Sequence, residues 1–245
     1  MIKAIADLHL ALSVPDKDMS IFGSNWKDYM LRLRDNWKNS VSESDLVLIA
    51  GDISWAMRLE EMSLDLQFLS DLPGKKILIK GNHDYWASKS VSKIRQFLPN
   101  NCFFLGNDYF VYENTVIVGA RLWSSSSIKI SSSIFQDSYK EKEEKSLIDE
   151  EKIFIREKNK LKYSLERLPK NIENKIVMTH FPPIGTNYEE NEITQLLENH
   201  CVRHCIFGHL HNVRSDIKKS FCIRGIHYHL VSADSINFSP VNICE

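Results

Sequence analysis

Asn82, His83 and Asp84 follow one another directly behind an apolar run, K-K-I-L-I-K, and a glycine. An amide, an imidazole and a carboxylate in succession are unusual company for a simple surface turn. The pattern recurs along the chain. Asp7 and His9 stand behind I-K-A-I-A, Asp52 behind D-L-V-L-I-A-G, His180 behind K-I-V-M-T, and His209 with His211 behind H-C-I-F-G. Each apolar run reads as a buried strand, and each ends in side chains able to bind a metal. In open α/β folds, functional groups gather beyond the carboxyl ends of strands, so the spacing predicts that these five ends converge.

The donor set restricts the chemistry. Aspartate and histidine without cysteine suit manganese, iron, zinc or nickel better than calcium, and better than an all-oxygen magnesium site. Three Asp or Asn oxygens and four imidazoles from this series suffice for two ions sharing one carboxylate. Two divalent ions, two aspartates and a bridging hydroxide leave the centre positive, because Asn82 adds no charge. Such a centre attracts a phosphate ester and stabilises charge developing on its oxygens. A lone D-x-H or G-N-H-D arises by chance, and a single histidine at a strand end is commonly structural; the ordered series carries the inference.

The elements that must position these residues alternate. A helix is predicted around N-W-K-D-Y-M-L-R-L-R-D-N-W, with Trp26, Met30, Leu33 and Trp37 on one face, and a second from Met57 until Pro73-Gly74 breaks it. C-F-F-L, Y-F-V-Y and T-V-I-V-G-A read as consecutive strands of a meander, and residues 124–133 as a mobile serine-rich loop. Residues 137–168 are densely charged with an apolar seam of Leu147, Phe154, Leu161 and Leu165, fitting one long helix or two shorter ones. Alternating residues from Phe221 onward suggest closing strands.

The length of 245 residues and the absence of a repeat or linker favour one domain over 1–245. A net charge of −1 gives no general electrostatic reason for a nucleic-acid or membrane partner. Asp7 interrupts the N-terminal apolar run too early for a signal-peptide core, and no window reaches the length of a membrane span. The 5 cysteines are odd in number and lack paired spacing, so reduced thiols in a cytoplasmic protein are expected.

On D-L-H, G-D-I-S, G-N-H-D, T-H-F-P-P and G-H-L-H, in that order, the chain resembles the calcineurin-like metallophosphoesterase superfamily. D-L-V-L-I-A-G-D-I-S-W-A-M and L-I-K-G-N-H-D-Y-W further resemble a bacterial subgroup of predicted phosphohydrolases. The resemblance implies an α/β fold, a four-layer α/β/β/α sandwich of two packed mixed β-sheets flanked by helices. It implies two divalent transition-metal ions (Mn, Fe or Zn). Asp7, His9, Asp52 and His211 would hold one; Asp52 would bridge to a second held by Asn82, His180 and His209. His83 would polarise the phosphoryl oxygen or protonate the leaving alkoxide, and Asp84 would hydrogen-bond His83 and fix its tautomer. The reaction implied is attack of a metal-bridging hydroxide on phosphorus.

Protein phosphatases of the superfamily resemble one another in carrying arginines where this chain has Ala56, in G-D-I-S-W-A-M, and Lys80, in I-K-G-N-H-D. A lysine lacks the bidentate fork, so a phosphodiester or small phosphomonoester is the expected substrate rather than a phosphoprotein. A nuclease or cyclic-nucleotide phosphodiesterase is the alternative, although no basic run with interleaved aromatics marks a nucleic-acid track. A non-catalytic metal-binding scaffold is disfavoured because every motif position is filled. Trp55, Trp86, Arg121 and Trp123 either form a base-stacking or anion-binding wall or are packing residues. His200, His204, His227, His229 and Asp234 are read as structural or rim groups.

Overall fold

The structure, a computed structural model, describes residues 1–17, 19–136 and 147–244. Four apolar segments, β1 (Ile2–Ile5), β2 (Leu46–Ile49), β3 (Lys75–Leu78) and β4 (Cys102–Phe104), lie parallel, side by side. The last strand, β11 (Val241–Cys244), closes this five-stranded sheet antiparallel to β1. A second, six-stranded sheet runs in the order β5 (Tyr109–Tyr112), β6 (Thr115–Ala120), β7 (Asn174–Thr179), β8 (His204–Phe207), β10 (Ile226–Leu230), β9 (Ser220–Ile223). Its inner strands are parallel and its edges, β5 and β9, antiparallel.

Both mixed sheets are apolar on two faces, which explains the unbroken hydrophobic runs. Ala4, Leu46, Leu48 and Ile77 of the first sheet meet Ile117, Ile176, Met178 and Ile206 of the second in a core between the sheets. The outer face of the first sheet packs beneath α1 (Tyr29–Ser40), α2 (Ser63–Ser70) and α3 (Val91–Phe97), through Leu33, Trp37, Leu66, Leu69 and Ile94. The outer face of the second packs beneath α4 (Leu147–Glu166) and α5 (Glu192–Asn199). Three cores separate four layers, the α/β/β/α sandwich expected.

Several local expectations change. Helix α1 begins only at Tyr29, because Asp28 takes a left-handed φ of 53° and separates it from a short 3₁₀ turn that contains Trp26. The meander predicted over residues 102–119 does not exist as such. β4 pairs with β3 in the first sheet, and only β5 and β6 form a hairpin, in the second. The Gly106-Asn107-Asp108 turn carries the chain between sheets, and Asp108 Oδ1 accepts the Gly106 N–H at 3.0 Å. Residues 124–133 are irregular but tied down: Ser131 N donates to Thr186 Oγ1 and Thr186 N to Lys129 O, both at 3.0 Å. The charged segment is a single helix over Leu147–Glu166 whose Phe154, Leu161 and Leu165 are buried; residues 137–146 lie outside those described. All five cysteines are free. Among the described residues, no helix is long and apolar enough to cross a membrane.

Candidate metal centre

The ends of β1, β2, β3, β7 and β8 open onto one rim of the sandwich. Behind these strands the chain turns through left-handed backbone at residues that are not glycine: Asp7 (φ 57°), His9 (φ 45°), Asp52 (φ 52°) and His209 (φ 70°). Such conformations cost about 1–3 kcal/mol each and persist only where the surroundings enforce them. Here the enforcement is hydrogen bonding. Asp7 N donates to Gly51 O at 2.9 Å and His9 N to Asp52 O at 3.0 Å, stitching the first two turns together. Asp7 Oδ2 accepts the His209 N–H at 2.9 Å, which ties the first sheet to the second.

Two glycines make the approach possible. A Cβ on Gly81 would lie 2.1 Å from Asp52 Oδ1, and one on Gly208 2.5 Å from Asp7 Oδ2. Both would displace a carboxylate that the site needs, so the glycines are required by space.

The side chains converge in two overlapping groups, Asp7–His9–His211 and Asp7–Asp52–His180, each with donor atoms within 4.8 Å of one another. Asp52 Oδ2 stands 3.4 Å from His180 Nε2 and 3.8 Å from His9 Nε2, and its Oδ1 accepts the His83 N–H at 2.8 Å. Asp7 Oδ1 faces His211 Nε2 at 3.7 Å and is buried with no hydrogen-bond partner among the described residues. A buried carboxylate oxygen left in that state is costly, and a cation satisfies it. His180 places Nδ1 3.0 Å from the Ala50 carbonyl, and His211 places Nδ1 3.0 Å from Asp234 Oδ1. Donating there commits Nδ1–H outward and presents the Nε2 lone pair to the centre, the tautomer a metal requires. The residues therefore fit divalent metal ions.

The same carboxylates also act on the imidazole protons. Burial penalises charge on His180, but Asp52 and Asp7 beside it outweigh that and raise its pKa to about 9. His211 is likewise raised to about 9, burial being overcome by Asp234 and Asp7. Burial holds His9 and His209 well below the ordinary imidazole value. Asp52, although buried, is kept below the usual carboxylate range by His180, whereas burial raises Asp7.

Of the other expected residues, Asn82 Oδ1 lies 2.7 Å from His180 Nε2, inside the centre. The His209 ring stands outside both close groups, packed on Phe181 with centroids 3.9 Å apart and 5.2 Å from His180. His83 is half-buried, its ring 5.7 Å from that of His9 and 4.6 Å from that of Trp55. Asp84 differs from expectation. Its carboxylate accepts N–H bonds from Ile53, Ser54, Gly81 and the Trp86 indole, and among the described residues no hydrogen bond joins it to the His83 imidazole. It points back into the fold and pins the Asp52 loop to the Asn82 loop. Burial and the nearby Asp52 charge raise its pKa to about 6.

Trp55, Trp86 and Trp123 pack separately and form no common base-stacking wall. Trp86 is fully buried, Trp55 stacks on His9 at 5.0 Å, and Arg121 pairs with Trp123 at 4.5 Å. Conversely, Asp234, expected as a structural or rim group, orients His211 and accepts the Asn212 N–H at 2.8 Å. Its one sequence clue is its place four residues behind β10, which runs parallel to β8 and ends on the same rim.

A family model described as calcineurin-like phosphoesterase matches residues 1–213, a span that includes every motif from Asp7 to His211. Among solved structures, the chain is similar to a protein of unknown function from Aquifex aeolicus (15% identity, 98% of this chain and 94% of that one, TM-score 0.48). It is also similar to GAP50, described as the anchor in the inner membrane complex of Plasmodium (12% identity, 96% of this chain and 71% of that one, TM-score 0.48). No curated protein matches.

Proposed function

Because the chain belongs to the calcineurin-like phosphoesterase family, and is thus a hydrolase of phosphoester bonds, we propose that it cleaves a phosphodiester or small phosphomonoester at a dinuclear metal centre. The observation that carries this reading is the pair of donor groups that share Asp7, whose buried Oδ1 has no hydrogen-bond partner among the described residues. Asp7, His9, Asp52 and His211 would hold one ion, and Asp52, Asn82, His180 and His209 the other. Bound manganese, iron or zinc would supply Lewis acidity, activating water and absorbing charge on the phosphoryl oxygens.

The chain's own residues supply the rest. His83 is anchored through its backbone N–H to Asp52, so its ring is carried at a fixed offset from the centre. Its Nδ1 is buried, which leaves Nε2 to meet a substrate and give a proton to the leaving oxygen. Asp84 acts one step further back, holding the loops that carry Asp52 and Asn82. The left-handed turns fix the donor atoms before substrate arrives, so little reorganisation is needed during reaction.

Lys80 supports the choice of substrate class. Its ammonium donates to the Ala87 carbonyl at 3.1 Å rather than offering the bidentate fork of an arginine. A small phosphoester is the proposed partner, nucleic acid is not favoured, and the cytoplasm is the proposed setting.

The test is manganese-dependent hydrolysis of bis-p-nitrophenyl phosphate, with p-nitrophenyl phosphate as the parallel monoester. Asp52→Asn should abolish turnover on both. His83→Ala should keep its metal and slow turnover by about 10²–10⁴-fold. Turnover that survives Asp52→Asn would remove the metal centre from the reaction.

A further inference from the structure

A cavity of 360 Å³ lies beside the metal centre, between the ends of β3, β4 and β6 and the flank of α4. Among the described residues, Lys80, Lys89, Arg121, Arg156 and Lys160 line it, against a single carboxylate, Glu157. That carboxylate is already shared. Its Oε1 lies 2.8 Å from Lys160 Nζ, 3.4 Å from Arg121 Nη2 and 3.7 Å from Arg156 Nε. One oxygen thus faces three cations, and Lys80 and Lys89 add two more charges to the same space.

The inner cations are poorly compensated. Arg121 Nε is buried and has no acceptor among the described residues. Among the described residues, Lys80 Nζ donates only to the neutral Ala87 carbonyl. Both groups are partly buried, and their like charges line the same cavity. An anion between them would relieve the repulsion and accept the idle N–H. The other side of the cavity is apolar, formed by Ile94, Phe104 and Leu105. The ligand that matches both walls carries an oxyanion at one end and an apolar body at the other.

We propose that this cavity binds a phosphorylated small molecule, its oxyanion between Lys80 and Arg121 and its body against Phe104 and Leu105. The site adjoins the metal centre through the backbone. Arg121 O accepts the N–H groups of His180 (3.2 Å) and Phe181 (3.0 Å), and Lys80 lies two residues before Asn82. An occupant therefore holds the β3 and β6 ends that position two candidate ligands. It is either a second anionic group of the substrate or a separate effector, and the chemistry is common to both. The proposal does not depend on which ester the metal centre cleaves.

The test titrates the full-length, metal-loaded protein with inorganic phosphate and locates tungstate, a phosphate mimic, by anomalous diffraction. Two phosphates per chain are expected, with a tungstate peak between Lys80 and Arg121 distinct from any at the metals. Lys80→Met and, on the exposed flank of α4, Arg156→Ala/Lys160→Ala should each weaken one of the two binding events at least tenfold while leaving metal content intact. In turnover assays, the phosphate response that these variants remove assigns the source. A rise in KM identifies a substrate group, and a change in kcat at constant KM identifies an effector; either upholds the site. A single binding event that disappears with Asp52→Asn, is untouched by the cavity variants and shows tungstate only at the metals would overturn the proposal. It would do so without touching the hydrolase reading, which metal-dependent turnover tests separately.

Discussion

Asp234 Oδ1 holds the Nδ1 of His211 at 3.0 Å and so turns the opposite ring nitrogen toward Asp7 and His9. Asp234 is separated from His211 by the whole β9–β10 hairpin, and its Oδ2 also fixes the Asn212 backbone. A carboxylate placed behind a ligating imidazole sets its tautomer and raises its basicity. Asp234→Asn should therefore reduce metal affinity by about 10–100-fold with the fold retained. Metal content after dialysis against a graded chelator, read beside circular dichroism, checks this. Unchanged affinity would return Asp234 to the rim.

Asp84 makes a different prediction because four N–H donors converge on it. In Asp84→Asn an amide NH₂ replaces an oxygen and opposes at least one of those donors inside the fold. Each buried donor left without a partner costs about 1–3 kcal/mol, so chemical denaturation should show a loss of at least that size. If stability is unchanged while kcat alone falls, Asp84 serves His83 after all.

The close approach at Gly81 gives a third test. Gly81→Ala would force its Cβ against Asp52, 2.1 Å from Oδ1 and 2.3 Å from the backbone nitrogen. The strand cores lie elsewhere, so the protein should fold but lose the metal that Asp52 anchors. Elemental analysis of the purified variant decides it, and full metal occupancy would show that the loops can part without harm.

A fourth prediction concerns pH and a histidine that is not among the candidate metal ligands. His229 is 8% exposed on the second sheet, with His204 Nδ1 3.2 Å from its Nε2 and Ser220 Oγ 3.0 Å from its Nδ1. Burial, then the neighbouring His204 and His227, lower its pKa to about 4 from an ordinary 6.5. Between these values the unfolded chain binds a proton that the folded chain refuses. The stabilising contribution is complete above about pH 6.5 and shrinks as pH falls toward 4. His229→Gln keeps a polar group but cannot titrate, so its stability should fall less than wild type between pH 7 and pH 5. Parallel slopes in thermal unfolding at those two pH values would rule this out.

Metal binding should itself be visible as stability. Ligands that bind only the folded state add RT ln(1 + [L]/Kd), about 2.7 kcal/mol at a hundredfold excess over Kd. Manganese should raise the melting temperature of wild type, and Asp7→Asn should abolish that rise because Asp7 belongs to both donor groups. A rise that persists in the variant would place the ions elsewhere.

The candidate ligands were legible in the chain because two local rules coincide: apolar runs mark buried parallel strands, and functional groups follow their carboxyl ends. That reading identified Asp7, His9, Asp52, Asn82, His180 and His211 as residues that now stand close together, and it gave a layered α/β arrangement, while the count of four layers came from the family resemblance of the motifs. It missed what depends on which strand neighbours which. The run at 102–104 resembles those that follow it, yet it pairs with β3, because register between sheets leaves no mark in a two-residue period. The same limit hid the direction of the Asp84 carboxylate and the service of Asp234 to His211. It also hid the gathering of Lys80, Arg121 and Lys160 around one glutamate. Sequence alone determined which groups the strand ends would carry. Only the tertiary structure decided which of them face inward to the metals and which brace or charge the space beside them, because distances across 23 to 80 positions are set by packing of the two sheets and not by spacing along the chain.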